Sequence, residues 1–164
     1  MRAFIIISMT ALLAACGFTP MYAEPETSGV LFKSINYRET TSDGRTGYWL
    51  EDALRGRLTA DNAPDRSADL SVSTSERRVN LGVLSTDRAT RADLYLTVAY
   101  RFIPYDREGA ALPPINGTFT SVATYNISRS PYAEITALAD ARRRAAEDVA
   151  DRIARDIAFQ TKAK

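Results

Sequence analysis

Leu94, Leu96, Val98, Tyr100 and Phe102 hold every second position of one run, the longest alternating stretch in the chain. Successive side chains of a strand point to opposite faces, so this run commits the chain to a sheet with one apolar face. The rest of the sequence must cover that face.

Two more segments alternate in the same way. In 68–75, Leu70, Val72 and Thr74 oppose Asp69, Ser71, Ser73 and Ser75. In 118–127, Phe119, Ala123, Tyr125 and Ile127 oppose Thr118, Thr120, Thr124 and Asn126. After Arg77 and Arg78 the apolar positions shift to Val79, Leu81 and Val83, which predicts a bulge or bend at the arginine pair and then a loop over 84–90. Residues 104–114, with Asp106, Gly109 and three prolines, read as a turn to the next strand, which a short connection makes antiparallel. A β-favouring run over 29–37, containing Val30, Phe32 and Ile35, reads as the first strand and ends in the polar cluster 39–44.

The covering elements are two amphipathic helices. Leu50, Ala53, Leu54 and Leu58 recur at three- and four-residue steps over 46–60, and the Asp61 to Pro64 cluster ends the pattern. Ser130 and Pro131 supply a cap and a first-turn proline for the second helix. Its apolar stripe of Ile135, Leu138, Ala145, Val149, Ile153 and Ile157 runs to about Gln160. Asp148 with Arg152 and Asp151 with Arg155 are spaced to pair across single turns, and the triplet Arg142, Arg143, Arg144 reads as a solvated flank.

The element order is β-α-β-β-β-α. It predicts an α/β fold of the α+β two-layer sandwich kind, a four-stranded mostly antiparallel or mixed sheet with both helices on one face. The first two strands are parallel if they share an edge, and one intervening strand is equally allowed. The other face, rich in Ser, Thr, Asp and Asn, meets either water or a polar protein surface.

The N-terminus carries a processing signal. Met1 and Arg2 precede an apolar leader ending in Leu13, Ala14, Ala15 and Cys16, the only cysteine. The leader is shorter than the roughly 20 apolar residues of a membrane-spanning helix. It has the form of a bacterial lipoprotein signal cleaved before a diacylglyceryl cysteine. The expected division is 1–15 signal peptide, 16–28 acylated N-terminus and tether, and 29–164 a single domain. Gly17 follows the cysteine, with no aspartate to signal inner-membrane retention, so the expected location is the outer membrane, lipid-anchored on the periplasmic side.

Composition narrows the function. Loss of Arg2 with the leader takes Lys+Arg from 21 to 20 against 20 Asp+Glu, which gives nucleic-acid binding no electrostatic support. With Cys16 acylated no thiol remains for a disulfide. There is no histidine, so the commonest general base and metal ligand are missing, and the lysines are only Lys33, Lys162 and Lys164. The expectation is no enzyme, no catalytic residue, no metal and no cofactor.

The start Cys16, Gly17, Phe18, Thr19, Pro20, Met21, Tyr22, the helix from Trp49 to Leu58, the strand from Arg91 to Tyr105, and Tyr132 leading into an alanine-rich terminal helix together resemble the LptE family of lipopolysaccharide-assembly lipoproteins. The likeness covers nearly the whole chain in element order. It implies a plug within, and assembly aid for, the β-barrel translocon LptD, and a part in delivering lipopolysaccharide to the outer leaflet. The resemblance also implies contact with lipopolysaccharide, whose phosphates call for cations. Arg77 and Arg78 at the expected bend and Arg88 and Arg91 around the loop are the candidates, since arginines at strand ends can present their forks outward. The same arginines also read as surface charges balanced by Glu76, Asp87 and Asp93. The alternatives are an auxiliary lipoprotein of another lipid transport system and a periplasmic inhibitor whose 84–90 loop plugs an active site.

Overall fold

The structure, a computed structural model, describes residues 31–40, 44–83 and 89–162. The expected leader, Cys16, the tether and Arg88 lie outside the described residues. The elements are β1 (Ser34–Glu39), α1 (Gly44–Leu58), β2 (Ser67–Val83), β3 (Ala89–Pro104), β4 (Ile115–Asn126) and α2 (Pro131–Lys162). The four strands form one sheet in the order β1-β2-β3-β4. β1 lies parallel to β2 and the other pairs are antiparallel, so the first two strands do share an edge and the sheet is mixed.

Alternation in the sequence becomes two opposite faces. Leu70, Val72, Leu96, Val98 and Phe102 pack beneath the helices with Leu50, Leu54 and Leu58 of α1 and Val149, Ile153 and Ile157 of α2, all buried. Four alanines of α2, Ala141, Ala145, Ala146 and Ala150, are also fully buried, and their small side chains let the helix axis approach the sheet closely. Tyr100 and Gly117 face each other across β3 and β4. A Cβ on Gly117 would stand 2.6 Å from the Tyr100 ring, so glycine is what lets that ring lie flat and stack on Phe119 with centroids 6.3 Å apart.

Several expectations need correction. No bulge interrupts β2: the ladder with β3 keeps one register through Arg77↔Tyr95 and Arg78↔Leu94 to Leu81↔Arg91. The apolar shift has another cause. The buried seam of β2 ends at Thr74, and beyond it the strand turns polar toward the helices while Val79 and Leu81 occupy the opposite face. The expected loop is shorter, because Ala89 and Thr90 belong to β3; residues 84–88 lie outside the described residues. Ile135 leaves the apolar stripe and is 61% exposed, in the first turns of α2, where Glu134 pairs with Arg78. Asp148 and Arg152 pair as expected at 2.9 Å, but Asp151 reaches across to Arg57 of α1, and Arg155 donates to the Asp151 carbonyl instead.

Candidate functional site

The sheet face away from the helices is mostly polar among the described residues, with Leu81 and Val122 as exposed apolar members. Alternation delivers Asn36 and Arg38 from β1, then Asp69, Ser71, Ser73, Ser75 and Arg77 from β2, Asp93, Thr97 and Arg101 from β3, and Asn116, Thr118, Thr120 and Thr124 from β4. Its groups bond laterally across strands: Thr97 and Thr120 share a 2.9 Å hydroxyl contact, and Thr124 donates to Asp93 at 2.6 Å. Asp69 accepts from Tyr105 at 2.8 Å and from Asn36 at 3.0 Å, and these bonds hold its carboxyl below the ordinary range. Cross-strand bonds of this kind rigidify the surface while leaving its outer hydrogen-bonding capacity available to a partner.

The candidate arginines divide between the two faces. Consecutive residues of an unbroken strand point oppositely, so Arg77 and Arg78 cannot present their forks together. Arg77 lies on the polar face with its guanidinium carbon 4.4 Å from the centroid of the Tyr95 ring. Arg78 points toward the helices, where it pairs with Glu134 at 2.8 Å and sits 5.4 Å from the Tyr125 centroid. Arg91 is exposed on the polar face, opposite Leu81 and Asn126. Arg77 and Arg91 thus share one face, about 13 Å apart at the strand rise per residue. Of the balancing acids, Glu76 lies on the other face and Asp93 on the same face as Arg91. Glu76 points inward to Thr46 and Arg142, Asp93 accepts from Thr124, and Asp87 lies outside the described residues.

Sequence reasoning missed the inward network around Glu76. Thr46, 2% exposed, donates its hydroxyl to one Glu76 oxygen at 2.5 Å, and Arg142 grips the other through Nε and Nη2 at 3.0 Å each. One carboxylate therefore joins α1, β2 and α2. Arg142 is not a solvated flank, because it borders the buried Ala141 seam; Arg143 and Arg144 are the exposed members, paired with Glu147 and Asp140 at 2.9 and 2.8 Å. The available signal was Glu76 at the apolar phase of β2, an acid on a core-facing position.

No curated protein matches the chain in sequence. Among solved structures it is similar to a protein of Caulobacter crescentus CB15 described as a lipoprotein, with 27% identity over 79% of this chain and 90% of the other, TM-score 0.61. It is also similar in fold to lipoprotein B of Nitrosomonas europaea, with 16% identity over 82% of this chain and 87% of the other, TM-score 0.51. A mixed four-stranded sheet with two helices is thus a fold shared with bacterial lipoproteins. The family is narrower. Residues 32–158 match LptE, the lipopolysaccharide-assembly family, and the chain belongs to it.

Proposed function

We propose that the chain is an outer-membrane lipoprotein, acylated at Cys16 and held on the periplasmic side, that plugs an LptD-type β-barrel, aids its assembly and helps deliver lipopolysaccharide to the outer leaflet. The role is one of structure and binding, without catalysis or cofactor. Family membership supports it. The observation that carries it is the sheet face that no described element covers, whose Ser, Thr and Asn side chains suit the polar lumen of a large barrel. A formal charge near zero limits repulsion within such a lumen.

Arg77, Arg88 and Arg91 are the groups we assign to lipopolysaccharide phosphates, with Arg78 held back by its Glu134 pair. Charge reversal at Arg88 and Arg91 is expected to weaken lipopolysaccharide binding in vitro by about tenfold. Unchanged binding would remove them from the site. Affinity purification of the tagged full-length chain from its native outer membrane tests the larger reading. Recovery of an LptD-like barrel supports it, whereas recovery of inner-membrane or periplasmic transport components alone favours an auxiliary transport lipoprotein.

A further inference from the structure

The two edges of the sheet are built differently. β1 spans six residues, carries Arg38 and Glu39, and gives its Ile35 carbonyl to Arg55 of α1 at 3.4 Å. Short length and charge protect an edge in this way, because unpaired strand groups recruit other strands. β4, at the opposite edge, has neither protection. Its twelve residues, Ile115–Asn126, include no charged residue and no proline, and its ladder with β3 runs without a bulge from Arg91↔Asn126 to Phe102↔Ile115. Beyond that ladder, no backbone hydrogen bond reaches β4 among the described residues. Arg144 donates to the Thr124 carbonyl at 3.2 Å, which marks that residue's backbone groups as turned away from β3. Alternate residues of an antiparallel strand share this phase, so Thr118, Thr120 and Val122 present theirs outward.

A groove lies between this edge and α2. Phe119 of β4 lines it together with Asp148, Arg152 and Arg155, around an open space of about 420 Å³. Phe119 is only partly buried, so its ring offers apolar surface to an occupant. Two cations line the groove against one anion, and that anion is taken: Asp148 pairs with Arg152 at 2.9 Å. Arg155 is exposed, donates Nε to the Asp151 carbonyl, and has no carboxylate partner among the described residues. Neighbouring acids are held elsewhere, Glu147 by Arg143 and Asp151 by Arg57, while Asp156 stands behind the groove wall bonded to Tyr100 and Gln160.

We infer that the β4 edge accepts an extended polypeptide segment of a partner protein as a fifth strand, with an acidic side chain on its helix-facing side set over Phe119 and against Arg155. In this mode main-chain hydrogen bonds give the affinity, and the side chains at alternate positions choose the partner. Charge separates the possible occupants. A second copy pairing through its own β4 brings no carboxylate to Arg155, because β4 has none, and it sets two arginine-bearing helix flanks side by side. The chain's own N-terminal segment contains Glu24 and Glu26, but Pro20 and Pro25 interrupt it, and proline cannot donate to a ladder. A partner's neutral strand with one acid meets both demands. The inference rests on the edge and its flank, and stands whether or not the barrel reading holds.

The test uses the full-length lipoprotein in phosphatidylcholine nanodiscs and a fluorescein-labelled peptide of alternating valine and threonine with glutamate at its centre, read by polarisation. The expected result is saturable binding that slows hydrogen exchange over 115–126 and weakens about tenfold when alternate peptide amides are N-methylated. Lysine in place of the central glutamate should weaken binding about fivefold, and Arg155→Glu, a change at an exposed position, should reverse that preference. Val122→Lys, which puts a charge on the half-exposed edge, should lower affinity about tenfold. Absence of saturable binding, equal affinity for the N-methylated peptide, protection that maps to β1, or a glutamate preference that survives Arg155→Glu overturns the assignment. So does a dimer in sedimentation that Val122→Lys abolishes, which would make a second copy the occupant. Peptide binding seen only after deletion of residues 17–29 overturns it too, and would give the edge to the protein's own N-terminal segment.

Discussion

The two faces of one sheet are made by the same alternation and end in opposite chemistry. Toward the helices, Leu70, Val72, Val98 and Phe102 close into a core that excludes water. Away from them, Thr97 and Thr120 bond to each other across strands, and Ser71, Ser73 and Thr118 stand beside them on a face that no described helix covers. The inner face secures the fold, and the outer face is free to serve something else. Within the inner face a second contrast appears. The middle of the sheet is apolar, but toward the hairpin the network of Thr46, Glu76 and Arg142 replaces hydrocarbon with a carboxylate held from three elements. Apolar packing supplies energy with little directional demand, whereas this network fixes how the two helices stand over β2.

Substitutions should separate these regions by size of effect. Ile153→Ala empties part of the buried core and is expected to cost about 2–5 kcal/mol in urea unfolding. Glu76→Ala removes the carboxylate that Thr46 and Arg142 share and should cost about 2 kcal/mol, with Glu76→Gln costing less. Thr97→Val with Thr120→Val on the outer face should change stability by less than about 0.5 kcal/mol. If the outer pair proved as costly as Ile153→Ala, the division of labour between the faces would fail.

A pH scan sharpens the picture further, with the smallest effect. Burial, and then the bond to Asp156, hold the Tyr100 phenol well above its ordinary 10.0; burial and nearby Glu39 raise Tyr37 likewise. A phenol raised in the folded state lends stability that is fully present below pH 10.0 and is lost as pH climbs toward the folded value. Stability should therefore decline above about pH 10. Tyr100→Phe should make that decline shallower, with Tyr37 supplying what remains. An equal slope in the variant would show that Tyr100 does not contribute.

The sheet, both helices and their common face were legible because periodicity records burial directly, as in Leu94 to Phe102 and Val149 to Ile157. Misreadings gathered where the core ends. Val79 and Leu81 looked like a change of phase, but the strand runs on unbroken and only the surrounding chemistry changes. Arg142 and Glu76 lie 66 residues apart, and Arg57 and Asp151 lie 94 apart; no local spacing announces such pairs.

Photo-crosslinking in the native outer membrane tests the central claim most directly. A photoreactive residue would be placed at Ser73, Thr97 or Thr120 on the polar face, and at Arg143 or Arg152 on the exposed helix side. The account predicts that all three sheet positions capture an LptD-like barrel. Capture from the helix positions alone, with Ser73, Thr97 and Thr120 yielding no barrel adduct, would contradict it.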